Sequence, residues 1–313
     1  MRPAVVALGG GHGLFSSLRA LRHVSDKLTA LVTVADDGGS SGRLRSELHC
    51  LPPGDLRMAL AALCDDGEWG RTWSALLQTR FETAGPLNHH AVGNLLIAGV
   101  WQMYADPVVG LDKLGWLLHT RGRVLPISSV ALTVGADVSS SSGEKGQIIG
   151  QKHVAKAQQH IDHLWLDPAN PPAEPEALSA VAEADWVVLG PGSWYTSVIV
   201  HLLVPELAAA LEMTKARRLL TLNLVADAET DGLTAVDHLE VFHEHAPSLR
   251  IDVVLADPTS IDDLAETRRA AARLGAELVV RDVAGLGETA VHDPLLLAAA
   301  YRDIFNAERP GTR

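Results

Sequence analysis

A chain of 313 residues has room for two domains or one large α/β domain, and either buries an ample core. Its 47% apolar and 20% charged residues describe an ordinary soluble protein, and a net charge of −12 argues against a general nucleic-acid or membrane surface. Two cysteines, Cys50 and Cys64, are too few for a disulfide framework, so a reducing, cytoplasmic setting is the simplest expectation.

Residues 3–8 form an uninterrupted apolar run that predicts a buried strand. Gly9-Gly10-Gly11-His12-Gly13 follows, and then Leu14, Leu18 and Leu21 recur at helical spacing. Strand, glycine turn and helix start bring backbone N–H groups and a positive helix end to one point, which suits a phosphate. The spacing is neither the full G-x-G-x-x-G fingerprint nor a G-x-x-x-x-G-K-[ST] loop. A plain tight turn would need fewer glycines, so an anion cradle is the favoured account.

Residues 28–34 read as a second strand, ending in Ala35-Asp36-Asp37-Gly38-Gly39-Ser40-Ser41-Gly42-Arg43-Leu44-Arg45. At the end of the second strand of a doubly wound sheet, an acid lies beside the glycine turn and can hold a ribose or a metal. A solvated Asx turn would account for the two acids. It would not require the Gly-Ser-Ser-Gly-Arg continuation, with its hydroxyls, free N–H groups and bidentate cation. Farther on, in Pro52-Pro53-Gly54-Asp55-Leu56-Arg57, Asp55 either caps a helix or joins Asp36 or Asp37 around a divalent ion such as Mg²⁺, and the two accounts stand level.

Residues 69–122 read as mostly helical and carry His89-His90-Ala91-Val92-Gly93-Asn94 between helices. Adjacent histidines point apart, so one ligand-facing imidazole with Asn94 is expected rather than a metal pair. Strands are expected from Val124 and from Val130, then a polar loop or hairpin at 139–146, a half-exposed strand at 160–166 and a Pro-rich connection at 167–175. A helix at 177–183 and a strand at 186–189 lead into Gly190-Pro191-Gly192-Ser193-Trp194-Tyr195-Thr196-Ser197, a second strand, glycine turn and hydroxyl-bearing helix start. The remainder alternates: strand 219–224 ending near Asn223, helix 233–245, strand 251–256, helix 261–273, strand 278–280 and helix 294–305. Alternation of this kind predicts a mostly parallel sheet with its ligand beyond the strand C-termini. The N-terminal apolar run is too short for a signal peptide, and 197–213 is broken by His201, Pro205 and Glu206, so no membrane insertion is expected.

The glycine turn, the Ala35–Arg45 run, the Pro52–Arg57 and His90–Leu96 segments and Leu189–Ser197 together resemble the gluconeogenesis factor (YvcK) family, the bacterial branch of the CofD-like superfamily. The resemblance covers nearly the whole chain. It implies one CofD-like α/β domain over 1–313, with a Rossmann-like, doubly wound, mostly parallel sheet and a helical insertion at about 55–122. It also implies a cytoplasmic regulatory protein that binds a UDP-sugar, typically UDP-N-acetylglucosamine, and supports cell shape and wall synthesis under gluconeogenic growth. The related phospholactate transferases build a deazaflavin coenzyme with Mg²⁺ and keep counterparts of the Ala-Asp-Asp and Pro-Gly-Asp acids. This chain departs from the family pattern at His12 (commonly Thr), Met58 (Asn), His89-His90-Ala91 (Gly-His-Ser), His201 (Asn) and Val225-Ala226 (Thr-Gln), changes that bear on the ligand rather than the fold.

On this footing the N–H groups of Gly10, Gly11 and Gly13 take a diphosphate at the helix opened by Leu14, and His12 adds a donor. Arg43 and Arg57 offset phosphate charge, so charge reversal at Arg43 should abolish binding. Asp36 or Asp37 binds sugar hydroxyls. Gly38, Ser40, Ser41, His90, Asn94, Gly192, Ser193, Thr196 and Asn223 complete the polar lining. The alternative is a Mg²⁺-dependent transferase of the 2-phospho-L-lactate type, with Asp37 and Asp55 holding the ion. The oligomeric state stays open, a homo-oligomer included, and a protein partner that reads ligand binding is expected.

Overall fold

The computed structural model describes residues 2–140, 143–157, 159–226, 228–285 and 291–307. Strand β1 (Ala4–Gly9) is buried from Val5 onward and leads into α1 (Gly11–Leu21), which buries Leu14, Leu18 and Leu21 along one stripe. After β2 (Lys27–Val32) come α2 (Gly39–Leu48), α3 (Gly54–Leu63), α4 (Glu68–Gln78), α5 (Val92–Met103) and α6 (Pro107–Leu118), and only then β3 (Arg123–Pro126). A small antiparallel sheet is made by β4 (Thr133–Ser139), β5 (Lys145–Ile149) and β6 (His160–Asp167), with the short α7 (Gln151–Val154) between the last two. The chain continues through α8 (Pro175–Glu183), β7 (Trp186–Leu189), a π-helical turn (Trp194–Val198), a 3-10 turn (Ile199–Leu203) and α9 (Pro205–Met213). It closes with β8 (Arg217–Thr221), α10 (Ala235–His245), β9 (Val253–Ala256), α11 (Leu264–Arg273), β10 (Glu277–Val280) and α12 (Pro294–Asn306).

The large sheet has the order β10-β9-β8-β7-β1-β2-β3, and every pairing in it is parallel. From β1 the chain builds outward to β3, then returns to lay β7 on the other side of β1 and builds outward again. Gly9 stands opposite Val32 and Leu8 opposite Leu189, so β1 is flanked by both halves. At such a switch point the loops leaving neighbouring strands diverge, which opens a crevice beyond the strand C-termini. Beneath it Trp194, Phe242, Leu14, Leu31 and Tyr301 are fully buried. The Tyr301 hydroxyl, 3.2 Å from that of Ser17 and 3.1 Å from that of Thr221, ties α12 to α1 and β8.

Several boundaries differ from the expected ones. The strand placed from Val130 starts at Thr133, and Val130 lies exposed ahead of it. The polar run at 139–146 joins β4 to β5 as an antiparallel hairpin, with Ser141 and Ser142 outside the described residues. The strand placed at 219–224 stops at Thr221, because Asn223 has turned to pair with Gly192, accepting from its N–H and donating to its carbonyl, both at 2.9 Å. Asp55 does not cap α3: Pro53 flanks the first turn, and Asp55 lies one residue inside the helix. Among the described residues no single helix is long and apolar enough to cross a membrane.

Candidate functional site

Loops leaving β1, β2, β7 and β8 enclose a cleft of about 530 Å³ at the switch point. Its centre is the glycine turn. Gly11 takes φ +55°, a conformation costly for any residue with a Cβ. The first intrahelical bond of α1 runs from the Leu14 N–H to the Gly10 carbonyl, so the N–H groups of Gly11, His12 and Gly13 lack intrahelical acceptors. Asp55 accepts from Gly11. The other two open the helix at the cleft wall, where its dipole favours an anion. Gly13 packs directly on the backbone of Pro191 and Gly192, which leaves no room for a Cβ.

Two carboxylates stand at one end. Asp36 accepts the Gly38 N–H at 2.9 Å and faces the cleft. Asp55 reaches the cleft wall from α3, and its Oδ2 is shielded from solvent without a hydrogen-bond partner. Burial and then the neighbouring Asp36 charge push the Asp55 carboxyl up to about 7, against the Gly11 N–H and Arg57, which favour its charged form. The described residues contain no cluster of three or more His, Cys, Asp or Glu suited to a metal. Two carboxylates suit Mg²⁺ where ligand phosphate and water complete the coordination.

His292, 8% exposed, closes the other end. Burial holds its imidazole neutral, down to about 4, against the pull of Asp257 and a bond to the Leu222 carbonyl. Its Nε2 has no hydrogen-bond partner.

The cleft brings together Gly10, Gly11, His12, Gly13, Asp36, Gly38, Asp55, Gly192, Ser193, Thr196 and Asn223 of the expected set. It does not include Leu14, Asp37, Ser40, Ser41, Arg43, Arg57, His90 or Asn94. Leu14 is buried under Gly9. Asp36 rather than Asp37 is the acid whose charge bears on Asp55. Arg43 donates to the carbonyls of Pro86 at 3.1 Å and Asn88 at 2.7 Å. Arg57 is buried, bonding Asn94 through Nε at 2.9 Å and Gln78 through Nη1 at 2.8 Å. Asn94 in turn donates to the Ser40 hydroxyl at 3.1 Å, and Ser40 bonds His90 Nδ1 at 2.9 Å. Ser40, Arg57, His90 and Asn94 form one buried polar chain, which Arg57 extends to the exposed Gln78, so that α2, α3, α4 and α5 are joined. They brace the cleft without lining it.

The helix start after β7 is also engaged. Glu229 accepts from the Tyr195 N–H at 2.7 Å, the Thr196 N–H at 3.4 Å and the Thr196 hydroxyl at 3.1 Å. A phosphate there would meet the Glu229 carboxylate across the whole helix start, whereas at the β1 turn Asp55 engages Gly11 and leaves the His12 and Gly13 N–H groups to a ligand. Sequence patterns missed Glu229, and they missed Gln151, Lys152 and His292 at the cleft. None of these sits in a glycine-rich or acidic motif. Lys152 reaches the cleft from α7, which follows β5 and packs beside the segment after β2.

The family model described as 2-phospho-L-lactate transferase CofD matches residues 5–295. The chain is 49% identical to a Mycobacterium tuberculosis (strain ATCC 25618 / H37Rv) protein named "Putative gluconeogenesis factor", covering 99% of this chain and 94% of that protein. It is 39% identical to the gluconeogenesis factor of Halalkalibacterium halodurans, over 85% of this chain and 81% of the other. A crystal structure of a UPF0052 family member from Bacillus halodurans matches with a TM-score of 0.85 at 34% identity, covering 96% of this chain and 98% of that one.

Proposed function

The chain belongs to the CofD family, among the gluconeogenesis factors, and from that premise we propose that its cleft binds a nucleotide diphosphate-sugar of the UDP-N-acetylglucosamine type as a regulatory ligand. The observation that carries this is the glycine turn at the β1–β7 switch point, which opens the His12 and Gly13 N–H groups onto a cleft large enough for a nucleotide. The diphosphate lies on the N–H groups of His12 and Gly13, with Lys152 as the nearby cation and Ser193 and Asp36 toward the sugar hydroxyls. Binding of this kind in the cytoplasm would report nucleotide-sugar supply to a protein partner and support cell shape and wall synthesis under gluconeogenic growth.

A second account, Mg²⁺-dependent transfer of the CofD type, is favoured by one feature: Asp55 beside Asp36, with a shielded oxygen that has no partner. A bound ion would take that oxygen and neutralise the bridging phosphate. Calorimetric titration with UDP-N-acetylglucosamine, UDP-glucose, NADP and GDP, each with and without Mg²⁺, separates the two. Metal-independent binding of a UDP-sugar is the expected result. Binding that demands Mg²⁺ and prefers GDP would put transfer first, and no binding of any of the four would overturn both.

Arg43→Glu tests the site boundaries in the same titration. Because Arg43 is held by loop carbonyls outside the cleft, affinity should stay within about three-fold of wild type at physiological salt, with a stability cost of about 1 kcal/mol. Abolished binding would return Arg43 to the phosphate.

A further inference from the structure

Lys152 is the sole Lys or Arg among the described residues lining the cleft, and it comes from α7, far in sequence from the glycine turn. Its placement depends on Asp37. The Asp37 Oδ1 accepts the Lys152 backbone N–H at 3.2 Å, supplying an acceptor to the first turn of α7 that Gly150 has no side chain to provide. Gly150 takes φ +97°, and a Cβ there would collide with Asp37 Oδ2. Gly150 is anchored from behind by its N–H to the Val134 carbonyl at 2.8 Å. On the cleft side, Lys152 Cδ lies 4.0 Å from the position of a Cβ on Gly38, so the side chain passes over the Asp36–Gly38 rim.

Resting on the diphosphate reading above, we infer that Asp37 is a positioning residue: it latches the β5–α7 strap so that Lys152 stands over the phosphate end of the cleft. The adjacent acids then divide the work. Asp36 faces the ligand, and Asp37, bonded to the strap, holds the cation in place.

The test uses the full chain and UDP as probe, with wild type, Lys152→Ala, Asp37→Ala, Asp37→Asn and the double alanine variant. Asp37 is half-buried and outside the core, so its variants should fold. Removing Lys152 should weaken UDP about ten-fold, Asp37→Ala nearly as much, and the double variant no more than about two-fold beyond Lys152→Ala. Asp37→Asn keeps an acceptor and should restore most of the affinity. Amide hydrogen exchange without ligand gives an independent readout, with the Lys152 amide exchanging about ten-fold faster in Asp37→Ala than in wild type or Asp37→Asn. Unchanged exchange in Asp37→Ala, or two affinity losses that multiply to about a hundred-fold, would overturn the latch. A wild-type chain that takes no UDP would overturn the diphosphate reading and the role given to the cation, while exchange still decides whether Asp37 holds the strap.

Discussion

Replacing Gly13 by alanine is expected to cost about 3 kcal/mol of folding stability and to abolish ligand binding, a large loss for one added methyl group. The added Cβ would collide with the Pro191 carbonyl oxygen and the Gly192 backbone, and neither can swing aside as a flexible side chain would. Relief requires the β1 and β7 loops to part. That separation would carry the His12 and Gly13 N–H groups away from Ser193 and Asn223 across the cleft. Gly11→Ala is the matched control: its Cβ would meet open space, so only the positive φ opposes it, at about 1 kcal/mol. Thermal unfolding with titration of UDP-N-acetylglucosamine would check the pair. A Gly13→Ala chain as stable as Gly11→Ala would mean that the two loops are not packed as described.

Asp55→Asn is expected to stabilise the ligand-free protein at pH 8 and to remove any Mg²⁺ dependence of binding. Folding raises the Asp55 carboxyl to about 7, so the folded state holds a proton that the unfolded chain releases near pH 4. Its contribution is therefore fully present below about pH 4 and is lost as pH rises through 7. At about 1.4 kcal/mol per pH unit the ceiling is about 4 kcal/mol, and partial access at the cleft wall trims the expected gain of the asparagine variant to about 2 kcal/mol. Asparagine can still accept the Gly11 N–H and can donate to Asp36. The difference between variant and wild type should thus be small at pH 4 and below, grow between pH 4 and 7, and level off by pH 8. His201 and His292, both held down to about 4 by burial, act with the opposite sign but are common to both chains and cancel. Denaturant unfolding across that range measures the difference. A variant less stable than wild type at pH 8 would show that the charged carboxylate is satisfied in the folded protein.

Residues 3–8, 28–34 and 186–189 announced buried strands because local hydrophobic pattern is a property of neighbouring residues alone, and the structure places all three side by side in the sheet. The two glycine turns were legible for the same reason: several glycines straight after a strand are hard to explain except by positive φ and close backbone approach. Alternating strands and helices then led to a doubly wound sheet with its cleft at the strand C-termini.

Side-chain direction belonged to the tertiary structure. Asp36 and Asp37 are chemically alike and adjacent, yet one turns to the Gly38 N–H at the cleft and the other to the α7 strap, a choice set by what packs against each. Arg43 and Arg57 look like phosphate ligands in sequence, but carbonyls and amides brought in from residues 78–94 claim them first. Lys152, Glu229 and His292 gave no local sign at all, because each acquires its role from a partner more than thirty residues away. Sequence by itself thus determined where backbone would meet an anion, a matter of local conformation, while the choice of charges around that anion waited on which distant segments pack against it.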